Sequence, residues 1–422
     1  MAAQTALRKQ VEIASPTRRI TMGIIFLALG LLTILVFTNG ITADMRTSFG
    51  LNASGATTQI DPWVVHTLTA LYVIAAFAFG AGGYQLIRGF KHWTNWVLAL
   101  VVFAFIFGFL VWAAADKSLN LAGLVATTLN KAVPITLGAL SGILCERAGV
   151  VNIAIEGMML SGALTGAIVS SITHNLWAGL GAAMLTGLGM ALIHAWLSIK
   201  YKVNQIVSGT VINIFATGLT SYISAKFLQS NEALNNPGIF QPIAIPGLVD
   251  IPFLGAILFR NNIFVYALFI FLIVLQVALF NTRWGLRVRA VGEHPKAADT
   301  LGINVIRTRY YSVMLGGLMA GFAGAYFTLG SVGRFDEVMT AGRGFIGLAA
   351  MIFGNWTPVG SFGAGLLFGF ADGLATRLAI LQVPIPSQFL LMAPYVATMI
   401  ILAGVVGRSQ GPAADGVPYE KE

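Results

Sequence analysis

Nine stretches of 19 to 30 residues in this chain contain no aspartate, glutamate, lysine or arginine. The first comprises residues 20–38 and the last comprises residues 378–407. A helix that crosses a bilayer needs about 20 predominantly apolar residues, so each stretch is long enough for one crossing. Only 10% of all residues are charged, whereas soluble domains carry about 25%. The sequence therefore predicts an all-α, polytopic membrane protein and excludes a soluble enzyme.

The number of crossings depends on the less regular stretches. Residues 121–144 and 150–171 are apolar apart from one charged residue each, Lys131 and Glu156. Residues 345–371 are too long and too rich in glycine for one straight helix, and we expect a break near Pro358. About 10–12 transmembrane elements result, some of them interrupted or re-entrant.

The first apolar stretch also has an alternative interpretation. It follows four basic residues, as the core of a secretory signal peptide would. Such a core typically has about 7–15 residues, and the stretch here has 19. A retained first helix is therefore favoured, and cleavage after residues 41–43 stays the alternative.

Basic residues predict the orientation, because short cytoplasmic loops of membrane proteins are enriched in lysine and arginine. With the spans alternating in direction, the proposed cytoplasmic segments hold sixteen basic residues and the proposed outer loops hold six. We therefore expect both termini in the cytoplasm. This distribution explains the formal net charge of +9, and it gives no reason to expect a nucleic-acid partner.

Composition changes along the membrane-spanning part. The first three spans are rich in phenylalanine, leucine and valine, whereas small residues interrupt nearly every span from residue 121 onward. Small residues allow membrane helices to pack closely. We expect a cytoplasmic tail over residues 1–19, additional transmembrane helices over 20–115, a functional core over 121–407 and a second cytoplasmic tail over 408–422. The loop 226–261, with four prolines, should cover the outer mouth.

Residues 142–157 interrupt the core with three charges, an asparagine and three glycines. Gly149 and Gly157 favour a broken helix, which is tolerated at membrane depth where protein covers it or where it lines a cavity. Glu156 is the most informative residue, because a carboxylate on an apolar helix is costly and is a functional candidate by default. Two interpretations stay open: Glu156, Glu146 and Arg147 pair with neighbours to fix helix packing, or Glu156 contacts the solute.

A second interrupted segment comprises residues 354–365, and interrupted helices in two halves of a transporter often mark its pathway. Lys131 precedes Pro134, which can kink its helix, and Lys131 pairs either with a core acid or with the solute. Isolated polar residues such as Asn213 could instead bond between helices. The candidates for a translocation pathway are Asn130, Lys131, Asn152, Glu156, Asn213 and Asn355.

The loop 282–309 carries six basic and two acidic residues. Within it, an acid before Pro295, apolar residues at helical spacing and a closing Gly302 predict a short helix. Such a helix, with a small apolar face and charged flanks, is suited to a groove in a cytoplasmic partner. The residues we expect in this contact are Arg289, Gly292, Glu293, Pro295, Ala297, Ala298, Leu301 and Gly302.

Several chemistries have no candidate residues in the sequence. No G-x-x-x-x-G-K-[ST] phosphate-binding loop is present, so the chain is not expected to hydrolyse ATP itself. The single cysteine and the five histidines lack the spacing of metal ligands. No Ser/His/Asp arrangement suggests catalysis, and we expect neither an enzyme nor a bound cofactor or metal.

Residues 146–159 and 289–298 together resemble the permease subunits of bacterial ABC importers. The resembling branch transports branched-chain amino acids, ribose and other simple sugars, and nucleosides, and the last two groups are the most similar. The resemblance covers about residues 121–407 and implies an all-helical permease with two related halves in the bacterial inner membrane. It also implies a second, often non-identical permease subunit, cytoplasmic ATPase subunits that bind ATP, and an extracytoplasmic substrate-binding protein. Residues 292–302 would be the coupling helix that contacts the ATPase.

The function implied is ATP-driven import of a small polar solute, a nucleoside or a simple sugar. The alternative is a secondary transporter that uses Glu156 and Lys131 to couple an ion gradient. A membrane-embedded enzyme is disfavoured because no catalytic constellation can be proposed. The exact solute, the homo- or heterodimeric state of the permease and the role of residues 1–115 stay open.

Overall fold

A computed structural model describes residues 16–383, 392 and 410–421 of the chain. The first 15 residues and most of the expected last span lie outside the described residues. The helices are α1 Pro16–Leu32, α2 Thr67–Ile87, α3 Thr94–Ala113, α4 Leu121–Glu146, α5 Ile155–Thr173, α6 Leu176–Ala195, α7 Gln205–Ile223, α8 Leu254–Leu258, α9 Ile263–Asn281, α10 Arg283–Glu293, α11 Pro295–Thr300, α12 Val305–Ala325, α13 Arg343–Phe353 and α14 Pro358–Ile380. The strands are β1 Arg46–Gly50, β2 Trp63–His66, β3 Ser118–Asn120, β4 Ile243–Ala244 and β5 Arg260–Asn261.

Among the described residues, ten helices are long and apolar enough to cross a membrane. They are α1 to α7, α9, α12 and α14. Four of them end in a wider π-helical turn, over Thr33–Phe37, Trp196–Lys200, Ser224–Leu228 and Tyr326–Val332. The prediction of an all-α polytopic membrane protein is confirmed.

The chain forms two compact units, and the smaller one comprises residues 16–53, 58–123 and 377–383 of the described chain. It contains α1, α2 and α3, and a three-stranded sheet in the order β2-β1-β3. β1 pairs with β2 antiparallel and with β3 parallel. The sheet buries Phe49 completely, against the rings of Trp63 and Phe107. The sequence analysis did not predict this sheet.

The larger unit comprises residues 54–57, 124–376 and 410–421 of the described chain. Its central helices are α4, α5 and α12. In their most apolar parts, 72–89% of the residues are buried inside the chain. Helix α6 packs against α5 and α12. Small residues make this packing possible, because a side chain on Gly321 would overlap the Ala183 carbonyl oxygen and one on Gly324 would overlap that of Met159.

Both predicted interruptions are present in the larger unit. Helix α4 ends at Glu146 and α5 begins at Ile155, with Gly149 between them at φ +81°. Helix α13 has only 11 residues, a length of about 16 Å, which is half a membrane crossing. Residues 354–357 then separate it from α14. Gly157, which we expected in the first break, lies inside α5 instead.

The connections gather at two ends of the larger unit. The α4–α5 break, the α13–α14 break, helices α10 and α11, and residues 410–421 contact one another at one end, which we call the tail face. The loop 226–261 lies at the opposite end, where the Phe240 ring contacts those of Trp177 and Phe264. The side chain of Asn235, also in this loop, bonds the Phe335 backbone. The loop therefore covers helix ends on the face opposite the tail face.

Candidate translocation and coupling sites

The N-terminus of α13 lies beside the middle of α4 and is held by a carboxylate. Gly344 and Gly347 pack against the backbone of Gly138. Glu156, in the first turn of α5, accepts a hydrogen bond from the Thr340 hydroxyl at 2.6 Å. It also accepts from the backbone amides of Gly342 at 2.8 Å and Gly344 at 2.6 Å.

These contacts make Glu156 a cap for the half-helix α13. The first amides of a helix lack intrahelical partners and carry partial positive charge, so a carboxylate is well placed there. Only 7% of Glu156 is exposed. The contacts support the interpretation that Glu156 fixes helix packing. Both of its carboxylate oxygens already accept hydrogen bonds within the chain.

Three charged side chains meet near this helix end. The Asp372 Oδ2 atom lies 3.3 Å from Lys131 Nζ and 3.2 Å from Arg343 Nη2. Lys131 belongs to α4, Arg343 is the first residue of α13, and Asp372 belongs to α14. At about 1.5 Å per residue, Lys131 and Asp372 both lie about 21–22 Å from the tail-face ends of their helices. The cluster is therefore inside the membrane-spanning part, and Lys131 pairs with a core acid.

Arg343 and Asp372 were missed by the sequence analysis, although a signal was present. Asp372 is the only charged residue between positions 344 and 376. The side chains of the cluster are 21–35% exposed in this single chain. The cluster thus lies on an accessible face, with two cations and one carboxylate.

Asn130 lies beside this cluster and is tied to α12 through its backbone. Pro134 has no amide hydrogen, so the Asn130 carbonyl four residues earlier loses its intrahelical donor. The Tyr326 hydroxyl donates to that carbonyl at 2.8 Å. The Asn130 side chain is exposed and that of Lys131 is partly exposed, so both pathway candidates of α4 are accessible.

Two other pathway candidates are not accessible. Asn152 is fully buried, and its amide nitrogen lies 3.4 Å from the Cys145 sulfur. Asn213 is 8% exposed; it accepts from the Gly157 amide at 2.8 Å and donates to the Ile153 carbonyl at 2.9 Å. Each side chain holds the α4–α5 break or the start of α5, so in this chain neither lies on an accessible face, and their place in a pathway stays a prediction without support from these contacts.

Asn355 lies at the tail face, where it belongs to the turn between α13 and α14. The Arg147 guanidinium donates to the carbonyls of Asn355 at 3.2 Å and Trp356 at 3.0 Å. The Trp356 indole donates to Glu146 at 2.6 Å. Burial lowers the pKa of Arg147, and the Glu293 carboxylate opposes that shift. These bonds join the two breaks, and they place Asn355 far from the Lys131 cluster.

The expected coupling segment forms two helices. The predicted short helix is α11, with Pro295 in its first turn and Gly302 after it at φ +79°. Helix α10 precedes it and was not predicted. Leu286 on α10 and Leu301 after α11 are 60% and 81% exposed, and Ala297 is exposed as well. An apolar and basic surface is therefore available to a partner.

Ala298 does not belong to that surface. It is 2% exposed and packs with Val291 and Val305 inside the chain. Gly292 is also enclosed, because a side chain there would overlap the Arg147 carbonyl oxygen. These two residues are therefore enclosed within the chain, whereas Glu293, Ala297 and Leu301 are accessible candidates for the predicted partner contact.

Residues 410–421 cross the tail face and contact most of its connections. The Gln410 amide donates to the Asn355 side chain at 3.0 Å, and the Ala414 amide donates to the Gly292 carbonyl at 2.9 Å. The buried Arg309 donates to the Val417 carbonyl at 2.9 Å. This segment therefore ties the start of α12 and the end of α10 to the α13–α14 turn, which the sequence analysis did not predict.

A polar cavity of about 720 Å³ lies at the opposite face. It is lined by parts of the loop 226–261 and by residues 333–337, which lead toward α13. Gln229 bonds Glu337 at 3.3 Å across it, and Arg334 pairs with Asp336 at 3.1 Å. The cavity therefore lies beside the non-helical segment that precedes α13.

Comparison with known protein families identifies the family of this chain. Residues 124–406 match the family model for the permease component of the branched-chain amino acid transport system. The chain belongs to this family. The match begins at residue 124, where the main segment of the larger unit begins, so it covers nearly all of α4 and continues through α14, and it leaves α1 to α3 outside. The permease is a multi-pass protein of the inner membrane, and no solved structure matches it significantly.

Similar proteins are named as ABC transporter permeases. The guanosine permease NupQ of Bacillus subtilis is 42% identical over 71% of this chain and 96% of its own length. The nucleoside permease NupC of Lactococcus lactis is 39% identical over 71% and 96%. A putative glucose permease of Haloferax volcanii is 34% identical over 68% and 93%.

Proposed function

We propose that this permease is a membrane subunit of an ABC importer for nucleosides. The observation that carries the proposal is the charged cluster beside the N-terminus of a half-helix, in a chain whose relatives include guanosine and nucleoside permeases. Half-helices at membrane depth are typical of transporter pathways. The chain has no phosphate-binding loop, so ATP is bound and hydrolysed by separate ATPase subunits.

The translocation path runs along the exposed face of Asn130, Lys131, Arg343 and Asp372. Lys131 and Arg343 donate hydrogen bonds and Asp372 accepts them, so a neutral solute rich in hydroxyl groups finds both kinds of partner. A second permease subunit closes this face. Bacillus subtilis and Lactococcus lactis each have a further, less similar guanosine or nucleoside permease, which supports a non-identical second subunit here. An extracytoplasmic binding protein delivers the solute to the face opposite the tail face.

The ATPase contacts the exposed residues of α10 and α11, with Leu286, Ala297 and Leu301 at the centre. Glu293 and Lys296 make polar contacts at the edge. The tail face is cytoplasmic, because it carries the basic connections of the core. Movement of α10 and α11 then reaches α13 through the contacts of Gly292 with Arg147.

The described contacts do not favour the ion-coupled alternative. The carboxylate of Glu156 accepts three hydrogen bonds from the α13 region, and Lys131 pairs with Asp372. Both groups proposed for ion coupling thus have structural partners within the described chain.

Uptake by proteoliposomes tests the proposal. The permease is reconstituted with the proposed second permease, ATPase and binding protein of the same organism, and uptake of labelled guanosine, glucose and leucine is measured with and without ATP. We expect ATP-dependent uptake of guanosine that leucine does not compete with. Uptake driven by a proton or sodium gradient without the ATPase would overturn the proposal, and ATP-dependent uptake of glucose alone would correct the solute.

A further inference from the structure

A second cavity, of about 520 Å³, lies at the tail face between the end of α6, the start of α12 and the C-terminal segment. Its polar lining comprises three lysines, one glutamate and two tyrosines. These are Lys200, Lys202, Lys421, Glu420, Tyr310 and Tyr419. Neither the pathway nor the surface of α10 and α11 uses this cavity.

The cavity is located at the membrane–water boundary. Lys200 is the last residue of the span that contains α6, and Val305 is the first residue of the span that contains α12. Trp196 and Tyr201, beside the cavity, are 46% and 56% exposed and lie with their rings 4.8 Å apart. Exposed tryptophan and tyrosine are enriched at the headgroup level of the bilayer.

The charge of the cavity is positive. Three lysines face one glutamate, and Lys202 pairs with Glu420. Lys421 Nζ lies 4.0 Å from Asp299 Oδ1, and Lys200 Nζ lies 5.8 Å from the centres of the Trp196 and Tyr201 rings. Glu420 is exposed and pairs with Lys202, which lowers the pKa of Glu420, so the carboxylate stays ionised and competes with any anion for that lysine.

We propose that this cavity binds the headgroup of an anionic phospholipid from the cytoplasmic leaflet, with the phosphate between Lys200, Lys202 and Lys421. Basic pockets between transmembrane helices on this side of the membrane suit such headgroups. The walls explain why a lipid is favoured over free phosphate. Ile199 and Ile306 line the cavity, and Ile306 is 45% exposed at the start of α12, so acyl chains can continue along the apolar helix surface.

Bound lipid would connect the C-terminal segment to the membrane. Lys421, Glu420 and Tyr419 form one wall of the cavity, and the same segment contacts α10 through Ala414. Removing Glu420 as a competitor should therefore strengthen lipid binding, whereas removing the lysines should weaken it. Effects of opposite sign separate a binding site from a general loss of folding.

The experiment measures lipid bound to the full-length permease by native mass spectrometry after titration with phosphatidylglycerol or phosphatidylcholine. Each lysine near an anionic membrane surface contributes about a fivefold change in affinity. We expect Lys200→Gln with Lys202→Gln to reduce phosphatidylglycerol binding about 20- to 30-fold, and Glu420→Gln to increase it several-fold.

Lys226→Gln is the matched control. Lys226 also lies in a π-helical turn at the end of a span, and its Nζ atom lies 5.4 Å from the centre of the Tyr222 ring. This turn is at the opposite face. The substitution should leave binding unchanged. Equal retention of phosphatidylcholine and phosphatidylglycerol, equal losses in Lys226→Gln, or no gain in Glu420→Gln would overturn the proposal. Displacement of the lipid by millimolar inorganic phosphate would also overturn it, in favour of a free-phosphate site.

Discussion

Replacing Glu156 with glutamine tests the capping of α13. Glutamine keeps one oxygen, which can still accept from Thr340 and Gly342, but its NH₂ group then faces the Gly344 amide, donor against donor. The loss of one charge-assisted hydrogen bond destabilises the capped state by about 1.5–3 kcal/mol. The lost interaction of the negative charge with the helix dipole adds about 0.5–1 kcal/mol.

The total of about 2–4 kcal/mol corresponds to a 30- to 700-fold smaller preference of α13 for its capped position, at about 1.4 kcal/mol per tenfold. We expect ATP-dependent uptake to fall at least tenfold. The apparent midpoint of thermal unfolding should fall by about 2–5 °C, because a chain of 422 residues shifts by about 1 °C per kcal/mol. Both are measured on the purified permease, in proteoliposomes and by heating in detergent.

Thr340→Val is the matched control, because Thr340 is fully buried and valine has nearly the same shape. It removes one neutral donor but leaves the charge and both backbone amides, so the loss should be about 1 kcal/mol. Unchanged uptake and thermal midpoint in Glu156→Gln would refute the capping argument. Poor accumulation with normal uptake per molecule would restrict Glu156 to folding.

Three further predictions concern the other sites. Leu301→Glu should abolish co-purification of the ATPase with normal permease yield, whereas Ala298→Glu should lower the yield itself, because Ala298 is buried; equal yields would contradict this placement. Asp372→Asn leaves two cations, Lys131 and Arg343, unneutralised and should reduce uptake more than Lys131→Met, which leaves one ion pair; the reverse order would contradict the cluster. Burial raises the pKa of Asp415 to about 6, above the value of about 3.9 in an undocked chain. Docking of the C-terminal segment should therefore be tightest at low pH and weaken as the pH rises toward about 6. Proteolysis of the segment should be slower at pH 5 than at pH 7. Because the Asp415 carboxyl group hydrogen-bonds that of Glu146, Asp415→Asn should reduce that difference; an undiminished pH effect would contradict it.

The membrane-spanning helices could be predicted from the sequence because the bilayer imposes a strict physical requirement. Every backbone amide and carbonyl in hydrocarbon must be satisfied internally, so a long apolar stretch has few alternatives to a helix. The breaks were predicted from a related signal, since clusters of glycine, proline and polar residues between apolar halves favour an interruption of the helix. The end of α4 at Glu146 and the start of α14 at Pro358 follow these signals.

Elements outside the bilayer were harder to predict. The strands β1, β2 and β3 have three to five residues, and such short strands form only because partners from distant parts of the chain lie beside them. Helix α10 begins with Arg283 and contains three arginines. In the sequence it was therefore interpreted as part of a basic cytoplasmic loop. Val288 and Val291 on this helix can be recognised as buried only when α12 is known to pack against it.

The partners of site residues could not be found from the sequence. Glu156 bonds groups that lie 184 to 188 positions later in the chain, and two of them are backbone amides with no side-chain signal. The burial of Ala298 could not be predicted for a different reason. A small apolar residue on a short helix looks the same whether it contacts its own chain or a partner, and only the packing with Val291 and Val305 decides.

The contacts at the two ends of α13 suggest how a signal from the ATPase reaches the pathway. Glu156 holds its N-terminus, and Arg147 and Glu146 hold the turn after its C-terminus. All three flank the α4–α5 break, and the break itself packs against Gly292 of α10. Because α13 is attached at both ends to one short segment, a displacement of that segment by α10 moves the half-helix as a unit. Arg343, its first residue, would then move relative to Lys131 in α4. If the proposed path runs along this face, we expect it to open by separation of the Lys131–Asp372–Arg343 cluster, with no rearrangement within α13.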